Sequence, residues 1–328
     1  MSIKQFLKLL YPFALIYGFI TLIRNKVFDW GVLKQTRFDI PIISIGNLSM
    51  GGTGKTPHIE YFISKYKEIF TLAVISRGYG RHTKGFLYVN ALDSTKNVGD
   101  EPLQIKKKFQ DVLVAVGEKR VDAIKRVMKD YPQVNMILLD DAFQHRYVKP
   151  GLNVLLTEYY DPFWKDLVVP AGRLREFRLG WKRADVILIT KSPETKDLVI
   201  PPYLISTPLF YSKINYDNPV LVKGIFSHKI LLVTGIANPA PLLDHLRVNT
   251  YEIIHHFYYP DHHNFSSSDI QDILSKSNQL ENCMVLTTEK DWMRLNKEFE
   301  LMELNIAYLP IKIEIENPPE DWLNFSKP

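Results

Sequence analysis

Hydrophobic and polar positions along the chain alternate between short apolar runs and stretches with helical spacing. The apolar runs, each of the length of a buried strand, occupy residues 40–45, 71–76, 112–116, 136–139, 152–157 and 185–190. Between them, apolar side chains recur every third or fourth position, as at Ile59, Phe62, Ile63 and Tyr66. Alternating strands and helices predict a P-loop NTPase-like, mostly parallel α/β sheet flanked by helices, with ligand-binding loops at the carboxyl ends of the strands.

The loop after the first apolar run is rich in glycine and ends in a lysine and a threonine. Residues 46–57 read Gly-Asn-Leu-Ser-Met-Gly-Gly-Thr-Gly-Lys-Thr-Pro, between a predicted strand and a predicted helix. Glycines let backbone N–H groups converge on phosphate oxygens, and the helix N-terminus favours an anion. This context predicts a P-loop in which Lys55 contacts the phosphates of a nucleoside triphosphate and Thr56 binds Mg²⁺, although Ser49 replaces one glycine of the usual pattern. The expected nucleotide-binding residues are Asn47, Met50, Gly51, Gly52, Thr53, Gly54, Lys55 and Thr56.

A second phosphate-site feature is an apolar strand that ends in two aspartates. Asp140 and Asp141 follow residues 136–139, and the polar cluster Phe-Gln-His-Arg follows at residues 143–146. A carboxylate at the end of such a strand holds Mg²⁺ directly or through water in P-loop proteins. We therefore expect one of the two aspartates, together with Thr56, to bind Mg²⁺.

Two further loops and one helix start lie on the same predicted edge. Residues 77–81 place two arginines and a tyrosine where a substrate approaches, and a solvated turn explains them equally well. Asp100, with Pro102 behind it, is typical of a helix N-cap, although a carboxylate there also suits the acceptance of a hydroxyl proton. A helix is predicted across residues 118–131, with Arg120 on its solvent side.

The pattern changes after residue 200, which indicates a second domain. Short alternating segments at 209–214 and 220–224 predict a two-stranded ribbon. A second α/β unit follows, with strands at 230–234, 251–258, 284–288 and 306–311 and helices at 240–246 and 268–277. The predicted organisation is an N-terminal membrane-associated helix at 1–28, a P-loop kinase domain at 29–206, a ribbon linker at 207–228 and a smaller α/β domain at 229–328.

The N-terminal stretch is unusually apolar. Residues 6–23 carry only Lys8 and Thr21 as polar side chains, and Lys4, Arg24 and Lys26 flank them. The stretch is short for a bilayer span and is interrupted by a proline and a glycine, and no signal-peptide cleavage site follows. An aromatic helix with basic ends that lies in the membrane interface fits best, and packing on the protein core is the alternative.

Composition adds limits to this picture. The chain has 328 residues, of which 46% are hydrophobic and 23% charged, as in a globular protein with a substantial core. The net charge of +5 is too mild for a dedicated nucleic-acid binder, so no nucleic-acid partner is expected. The single cysteine, Cys283, excludes an intramolecular disulfide and a multi-cysteine zinc site.

Taken together, these motifs resemble one enzyme family, the tetraacyldisaccharide 4'-kinases, also called lipid A 4'-kinases. The resemblance extends from about Ile43 to Leu295 and includes Ser49, which is part of the version of the P-loop found in this family. The motifs that carry it are the P-loop, Ser-Arg-Gly-Tyr-Gly at 76–80, Gly-Asp-Glu-Pro at 99–102, Asp-Asp-Ala-Phe-Gln-His at 140–145 and Pro-Ala-Gly-Arg-Leu-Arg-Glu at 170–176.

The resemblance implies an ATP- and Mg²⁺-dependent kinase at the cytoplasmic face of the bacterial inner membrane, held peripherally or monotopically. Its acceptor is expected to be the 4' hydroxyl of an acylated glucosamine disaccharide 1-phosphate, and no protein partner is implied. Asp100, Lys55 and His262 are the implied catalytic residues, with His262 supporting Asp100. The implied substrate-binding residues are Arg77, Tyr79, Arg120, Gln144, His145, Arg175 and Glu176, and Arg146 and Arg173 also suit a phosphorylated sugar.

Two other functions are compatible with parts of the sequence. A P-loop GTPase, ATPase switch or metallochaperone is suggested by the histidines at 255, 256, 262 and 263 and by Thr190-Lys191, although the aspartate that reads guanine is absent. Adjacent histidines on a strand point to opposite faces, which disfavours a closed zinc site. A membrane-bound interaction module that keeps nucleotide as a structural ligand is the other alternative.

Overall fold

The computed structural model describes residues 10–261, 263–280, 282–299, 302 and 304–326, which build two sheets. The strands are β1 (Ile42–Asn47), β2 (Leu72–Ser76), β3 (Leu87–Tyr88), β4 (Leu113–Val116), β5 (Met136–Asp140), β6 (Leu152–Glu158), β7 (Val186–Thr190), β8 (Leu209–Tyr216), β9 (Val220–Lys223), β10 (Lys229–Thr234), β11 (Glu252–Tyr258), β12 (Met284–Thr288), β13 (Ile306–Leu309) and β14 (Ile311–Ile315). The α-helices are α1 (Tyr11–Asp29), α2 (Lys55–Tyr66), α3 (Thr95–Val98), α4 (Asp100–Lys108), α5 (Arg120–Asp130), α6 (Ala240–Val248), α7 (Ser267–Asn278) and α8 (Glu289–Phe299). Short 3₁₀ helices lie at Phe163–Lys165, Arg178–Arg183, Pro202–Leu204 and Trp322–Phe325.

The larger sheet has nine strands in the order β14-β8-β7-β6-β1-β5-β2-β4-β3. Its strands run parallel except for β14 and β3 at the two edges. Strand β1 lies between β5 and β6, with Ile45 opposite Asp140 and Asn47 opposite Leu156. The loop after β1 and the aspartates after β5 therefore leave the same edge of the sheet side by side, as the sequence predicted.

The core of this sheet forms one cluster on the face that α2 covers and two separate clusters on the other face. The predicted stripe of α2, formed by Ile59, Phe62, Ile63 and Tyr66, is buried on one face. Trp322 from the C-terminal segment joins it, with its ring 5.5 Å from that of Phe62. The P-loop helix is thus packed between the sheet and the C-terminal segment.

The smaller sheet has five strands in the order β11-β10-β12-β13-β9, and all of its pairs are parallel except β13 with β9. The two-stranded ribbon predicted within 207–228 is wrong, because β8 and β9 belong to different sheets. Strand β8 pairs instead with β14, so the predicted strand at 306–311 divides at Pro310 between the two sheets. The chain therefore crosses between the sheets twice, and the domain limits themselves remain a prediction.

Helix α1 lies against the large sheet through a narrow contact. Gly18 packs so closely on Phe177 that an added Cβ would lie 2.5 Å from its ring. The opposite side is exposed and apolar, and it includes Phe13, Ile16, Phe19 and Ile20. Within the part of the chain that the structure describes, no helix has both the length and the hydropathy to cross a membrane.

Candidate active site

The loop between β1 and α2 has the backbone of a phosphate-binding loop. Gly51 and Gly54 have φ angles of 117° and 83°, in the left-handed region that favours glycine. Gly54 is the N-cap of α2, so the helix dipole and the free N–H groups of its first turn point toward the loop. Inside the loop, the Asn47 amide donates to Thr53 Oγ1 at 2.8 Å, which holds both ends of the turn together.

The loop is braced from outside by a segment that the sequence did not connect to it. The Met50 N–H donates to the Arg173 carbonyl at 2.7 Å, and the Arg175 N–H donates to the Leu48 carbonyl at 2.7 Å. Ser49 is buried between these bonds and forms a β-bridge with Leu174. Ser49, which departs from the usual glycine, therefore marks the point where the loop pairs with residues 173–175.

The two aspartates after β5 have different environments. Asp140 is fully buried, and its Oδ2 accepts a hydrogen bond from Ser76 Oγ at 2.9 Å. Its Oδ1 is buried with no hydrogen-bond donor among the described residues. The pKa of Asp140 is raised to about 7, mainly because burial disfavours the carboxylate and also because Glu101 and Asp141 are close, whereas Lys55 opposes the shift.

Asp141 instead forms an ion pair on the open side. Nη1 of Arg175 lies 2.9 and 3.0 Å from its two carboxylate oxygens, and Lys55 Nζ lies 3.9 Å from Oδ1. The backbone of Asp141 has a φ of 46°, a conformation that aspartate tolerates better than most residues. The Asp141 carboxylate is thus shared by the P-loop lysine and by Arg175.

Asp100 lies at the start of α4, on the same edge. The predicted N-cap role is wrong, because Gly99 occupies the cap position and Asp100 is the first helical residue. Gly99 has a φ of 94°, and an added Cβ would lie 3.1 Å from the Tyr79 carbonyl, so only glycine allows this close approach of two loops. Asp100 Oδ1 accepts from the Glu101 N–H at 3.0 Å.

Glu101 is a site residue that sequence reasoning missed. Burial raises its pKa, and the nearby Asp100 and Asp141 raise it further, whereas Lys55 and Lys290 oppose the shift. A carboxyl group surrounded by these charges lies inside the same cluster as the P-loop lysine. Its position next to Asp100, within the Gly-Asp-Glu-Pro motif at 99–102, was the available signal.

Among the predicted rim residues, Arg77 and Tyr79 are exposed, as expected for substrate contacts. The predicted solvent exposure of Arg120 is wrong: its guanidinium is buried and donates to the Gly117 carbonyl at 2.7 Å. Burial lowers the pKa of Arg120 to about 10, although Asp140 and Asp141 favour its charged form. Arg120 therefore stabilises the strand end that carries the aspartates from behind.

His145 is also turned inward. It lines a cavity of about 160 Å³ beneath the 35–40 linker, and its Nε2 has no hydrogen-bond partner among the described residues. Burial, followed by the charge of Arg120, lowers its pKa to about 4, so the ring is neutral at physiological pH. His145 therefore offers a neutral imidazole rather than a cation to this region.

Gln144 and Glu176 form a network rather than an open binding surface. Gln144 Nε2 donates to the Asn47 carbonyl at 2.8 Å and to Glu176 Oε1 at 3.2 Å. Glu176 is buried and is paired with Arg183 at 2.6 Å. Asn25 of α1 donates to Glu176 Oε2 at 2.5 Å, which connects the N-terminal helix to the P-loop.

Two arginines expected to suit a phosphorylated sugar have structural partners instead. Arg146 is buried and binds α1 through the Asn25 carbonyl and Asp29, at 2.7 and 2.8 Å. Arg173 is half-exposed and pairs with Asp166 at 3.1 Å. Among Arg146, Arg173 and Arg175, it is Arg175 that forms an ion pair with Asp141.

The small sheet contributes the other side of the site. His262 lies outside the described residues, but Asp261 before it is paired with Lys290 at 3.0 Å. His263 is turned away, with Nε2 2.9 Å from Asp269 and its ring stacked on Tyr259. Lys290 therefore forms an ion pair with the residue that precedes position 262.

Helix α8 also connects the two halves of the molecule. Lys108 of α4 binds Glu60 of α2 at 2.7 Å and Glu289 of α8 at 2.9 Å. Arg294 of α8 lies 4.0 Å from Asp100. The P-loop, the aspartates after β5, Asp100 and the start of α8 thus surround one cleft between the two sheets.

Comparison with known proteins agrees with this geometry. The profile of the LpxK family, described as tetraacyldisaccharide-1-P 4'-kinase, matches residues 6–325. A tetraacyldisaccharide 4'-kinase of Bacteroides thetaiotaomicron is 41% identical over 97% of this chain and 91% of its own length. One from Flavobacterium johnsoniae is 41% identical over 96% of this chain and 94% of its own length.

A solved structure agrees as well. The crystal structure of LpxK from Aquifex aeolicus, described as a complex with ATP, superposes with a TM-score of 0.78 and 26% identity, covering 95% of this chain and 96% of that one. The match spans both sheets and the site between them. The chain therefore belongs to the tetraacyldisaccharide-1-P 4'-kinase family.

Proposed function

We propose that this protein transfers the γ-phosphoryl group of ATP to the 4' hydroxyl of a tetraacyldisaccharide 1-phosphate, which forms lipid IVA in lipid A biosynthesis. One observation carries the proposal: the P-loop lysine, paired aspartates and Asp100 converge at the carboxyl edge of the large sheet, facing the small sheet. A GTPase switch or metallochaperone explains the P-loop but gives no role to Asp100.

The residues present suit a bound Mg²⁺ ion. Asp140 Oδ1 is buried without a donor among the described residues, and Thr56 lies in the first turn of the P-loop helix, which follows the neighbouring strand β1. Hard oxygen ligands of this kind are those that Mg²⁺ prefers. Asp140 and Thr56 are the proposed ligands, because Asp141 is engaged by Arg175. When bound, Mg²⁺ neutralises charge on the phosphate oxygens.

The chain's own residues supply position and charge. Lys55, with a nearly buried side chain, and the N–H groups around Gly54 stabilise negative charge on the transferred group. Arg175 provides a second cation on the same side. Asp100 accepts the proton of the sugar hydroxyl, and His262 supports it, as the family resemblance implies. Water is excluded as the small sheet approaches the large one.

The exposed face of α1 gives this enzyme access to a lipid substrate. Phe13, Ile16, Phe19 and Ile20 leave an apolar surface next to the basic residues Arg24 and Lys26. Such a helix lies in the interface of an anionic membrane, with its apolar side chains among the acyl chains. We infer that the protein works at the cytoplasmic face of the inner membrane, where ATP is available.

The test is phosphate transfer from γ-labelled ATP to a detergent-dispersed acylated disaccharide 1-phosphate. Labelled lipid is expected with the unmodified chain, and its formation falls by orders of magnitude in Lys55→Ala and Asp100→Ala. Lys67→Ala, which changes a partly exposed lysine just beyond the end of the P-loop helix, is the matched control and retains activity. Nucleotide binding without labelled lipid points to the switch alternative instead.

A further inference from the structure

Arg294 is a buried cation of helix α8 whose role the reaction described above does not explain. Its side chain is 6% exposed. Nη1 donates to the His263 carbonyl at 3.0 Å, and Nη2 donates to Asp291 Oδ1 at 2.9 Å. Both partners belong to the small sheet and its loops. Arg294 is therefore held firmly on one side of the cleft.

The third nitrogen of Arg294 faces the other side. Nε lies 4.0 Å from Asp100 Oδ2, and it is buried with no hydrogen-bond acceptor among the residues that the structure describes. A buried N–H without an acceptor is costly, and a charge-assisted bond to a carboxylate forms at about 2.8 Å. A closing movement of roughly 1 Å between the two sheets completes this bond.

The platform that carries Arg294 is rigid. Asp291 is fully buried and accepts hydrogen bonds from the Gly235 N–H at 2.9 Å and from Thr288 Oγ1 at 2.7 Å. An added Cβ on Gly235 would lie 3.0 Å from Asp291 Oδ1, so a glycine at this position leaves room for the carboxylate. Buried, fully connected polar groups of this kind fix the direction of a side chain.

Helix α8 also holds the residues that flank position 262. Lys290 holds Asp261, and Arg294 holds the carbonyl of His263, so the two residues on either side of position 262 are both tied to one helix. The same arginine therefore contacts the His263 carbonyl and approaches the Asp100 carboxylate. This arrangement allows one side chain to set the distance between them.

We propose that Arg294 is a positioning residue for phosphoryl transfer: when the domains close, its Nε–H donates to Asp100 and fixes the orientation of that carboxylate. The proposal rests on the proposed function, in which Asp100 accepts the hydroxyl proton. A guanidinium beside a carboxylate also favours the ionised form that a base requires. The charges that act on Glu101, the neighbour of Asp100 in the chain, are Asp100, Lys55 and Asp141 from the large sheet and Lys290 from α8, and Asp291 lies beside Arg294.

The experiment compares Arg294→Met and Arg294→Lys with the unmodified chain, using the labelled-lipid assay over a range of pH. Arg294→Met is expected to lower kcat by about 100-fold while KM for ATP changes less than about threefold, since the nucleotide site is intact. The acidic limb of its pH–rate profile moves to higher pH by about one unit. Arg294→Lys keeps the charge and recovers activity to within about tenfold of the unmodified chain.

Arg247→Met is the matched control, because Arg247 is an exposed arginine of α6 in the same half of the molecule. It leaves both kcat and the pH profile unchanged. Thermal unfolding of each variant is measured in parallel. If Arg294→Met does not fold, Arg294→Lys decides the test. A fall of kcat by up to about tenfold in a folded Arg294→Lys variant supports the proposal, because one ammonium cannot replace all three guanidinium contacts, and an unchanged kcat overturns it.

A double-mutant cycle with Asp100→Asn separates this inference from the proposed function. If Arg294 acts through Asp100, adding Arg294→Met to Asp100→Asn costs far less than it does alone. An equal cost in both backgrounds overturns the positioning role. Loss of transfer in Asp100→Asn with full activity in Arg294→Met also overturns it, while the proposed function stands. Full activity in Asp100→Asn overturns the role of Asp100 itself.

Discussion

Asp141 and Arg175 form a charge-assisted pair in which one guanidinium nitrogen lies 2.9 and 3.0 Å from the two carboxylate oxygens. The backbone of Arg175 also donates to the Leu48 carbonyl of the P-loop, so the pair connects the end of β5 to the phosphate loop. Asp140, by contrast, faces inward toward Ser76. The two aspartates of one motif therefore have separate tasks.

We predict that Asp140→Asn weakens Mg²⁺ binding far more than Asp141→Asn does. Replacing the buried Asp140 removes the proposed metal ligand, so the Mg²⁺ concentration that gives half-maximal transfer rises by at least about tenfold. Asp141→Asn leaves that concentration nearly unchanged and lowers kcat, because Arg175 and Lys55 lose their partner. Calorimetric titration of ADP with and without Mg²⁺ gives a readout that does not depend on turnover. A larger metal defect in Asp141→Asn contradicts the assignment.

A second prediction concerns the connection between α1 and the phosphate site. Asn25 donates a hydrogen bond to Glu176. Gln144 donates both to Glu176 and to the carbonyl of Asn47 at the start of the P-loop. Asn25→Leu leaves a buried carboxylate without one of its donors, at a cost of about 1–3 kcal/mol. We expect kcat to fall several-fold even with a substrate dispersed in detergent.

Lys26→Ala is the control for Asn25→Leu, because Lys26 is the exposed neighbour on the same helix. It lowers attachment to anionic vesicles but leaves kcat in detergent unchanged. Equal kcat values for the two variants in detergent show that α1 is an anchor alone. A loss restricted to Asn25→Leu shows that the helix also supports the phosphate site.

The P-loop and the paired aspartates could be predicted because their chemistry is local. A glycine-rich turn, a lysine and a helix start are adjacent in sequence, and parallel strands carry their carboxyl ends to one edge. Asp140 and Lys55 were therefore placed correctly relative to each other. The apolar stripe of α2 followed from helical periodicity in the same way.

The errors arose where the deciding contact is distant in sequence. Alternation at 209–214 identifies a strand but not its partners, which are β7 and, about a hundred residues later, β14. Arg120 was expected in solvent because a charged residue at a helix start is usually exposed. Its guanidinium instead donates hydrogen bonds to the carbonyls of Gly117 and Asp140. The sequence did not indicate a role for Arg294, because Arg294 approaches Asp100 only after both sheets have formed.

A third prediction follows from Glu60, which is buried in the P-loop helix. Its carboxylate accepts from Gln104 and Lys108, yet burial raises its pKa to about 7. The folded chain therefore binds a proton between pH 4.5 and about 7 that the unfolded chain releases, so stability falls as pH rises through this window. At about 1.4 kcal/mol per pKa unit, the loss reaches about 3 kcal/mol.

Glu60→Gln keeps the hydrogen-bonding shape without the titration. Urea unfolding at pH 5 and at pH 7.5 is expected to show that the unmodified chain loses up to about 3 kcal/mol relative to this variant. The two chains must be compared at each pH, because other groups also change stability with pH. Burial lowers the pKa of His58 on the same helix to about 4, which makes stability rise with pH. Glu68→Gln, at an exposed position just beyond α2, is the control and shows no such difference. Parallel curves for all three chains contradict the assignment.

The last prediction tests the apolar face of α1 as a membrane-binding surface. A Phe13→Ser, Ile16→Ser and Phe19→Ser triple variant removes three exposed apolar side chains that make little contact with the rest of the protein. Burial of each in a bilayer contributes on the order of 1.5 kcal/mol or more, so vesicle binding falls by at least about a hundredfold. Flotation with vesicles of phosphatidylethanolamine and phosphatidylglycerol measures this. Leu92→Ser, at an equally exposed apolar position outside the helix, retains binding, and an unchanged triple variant places the membrane contact elsewhere.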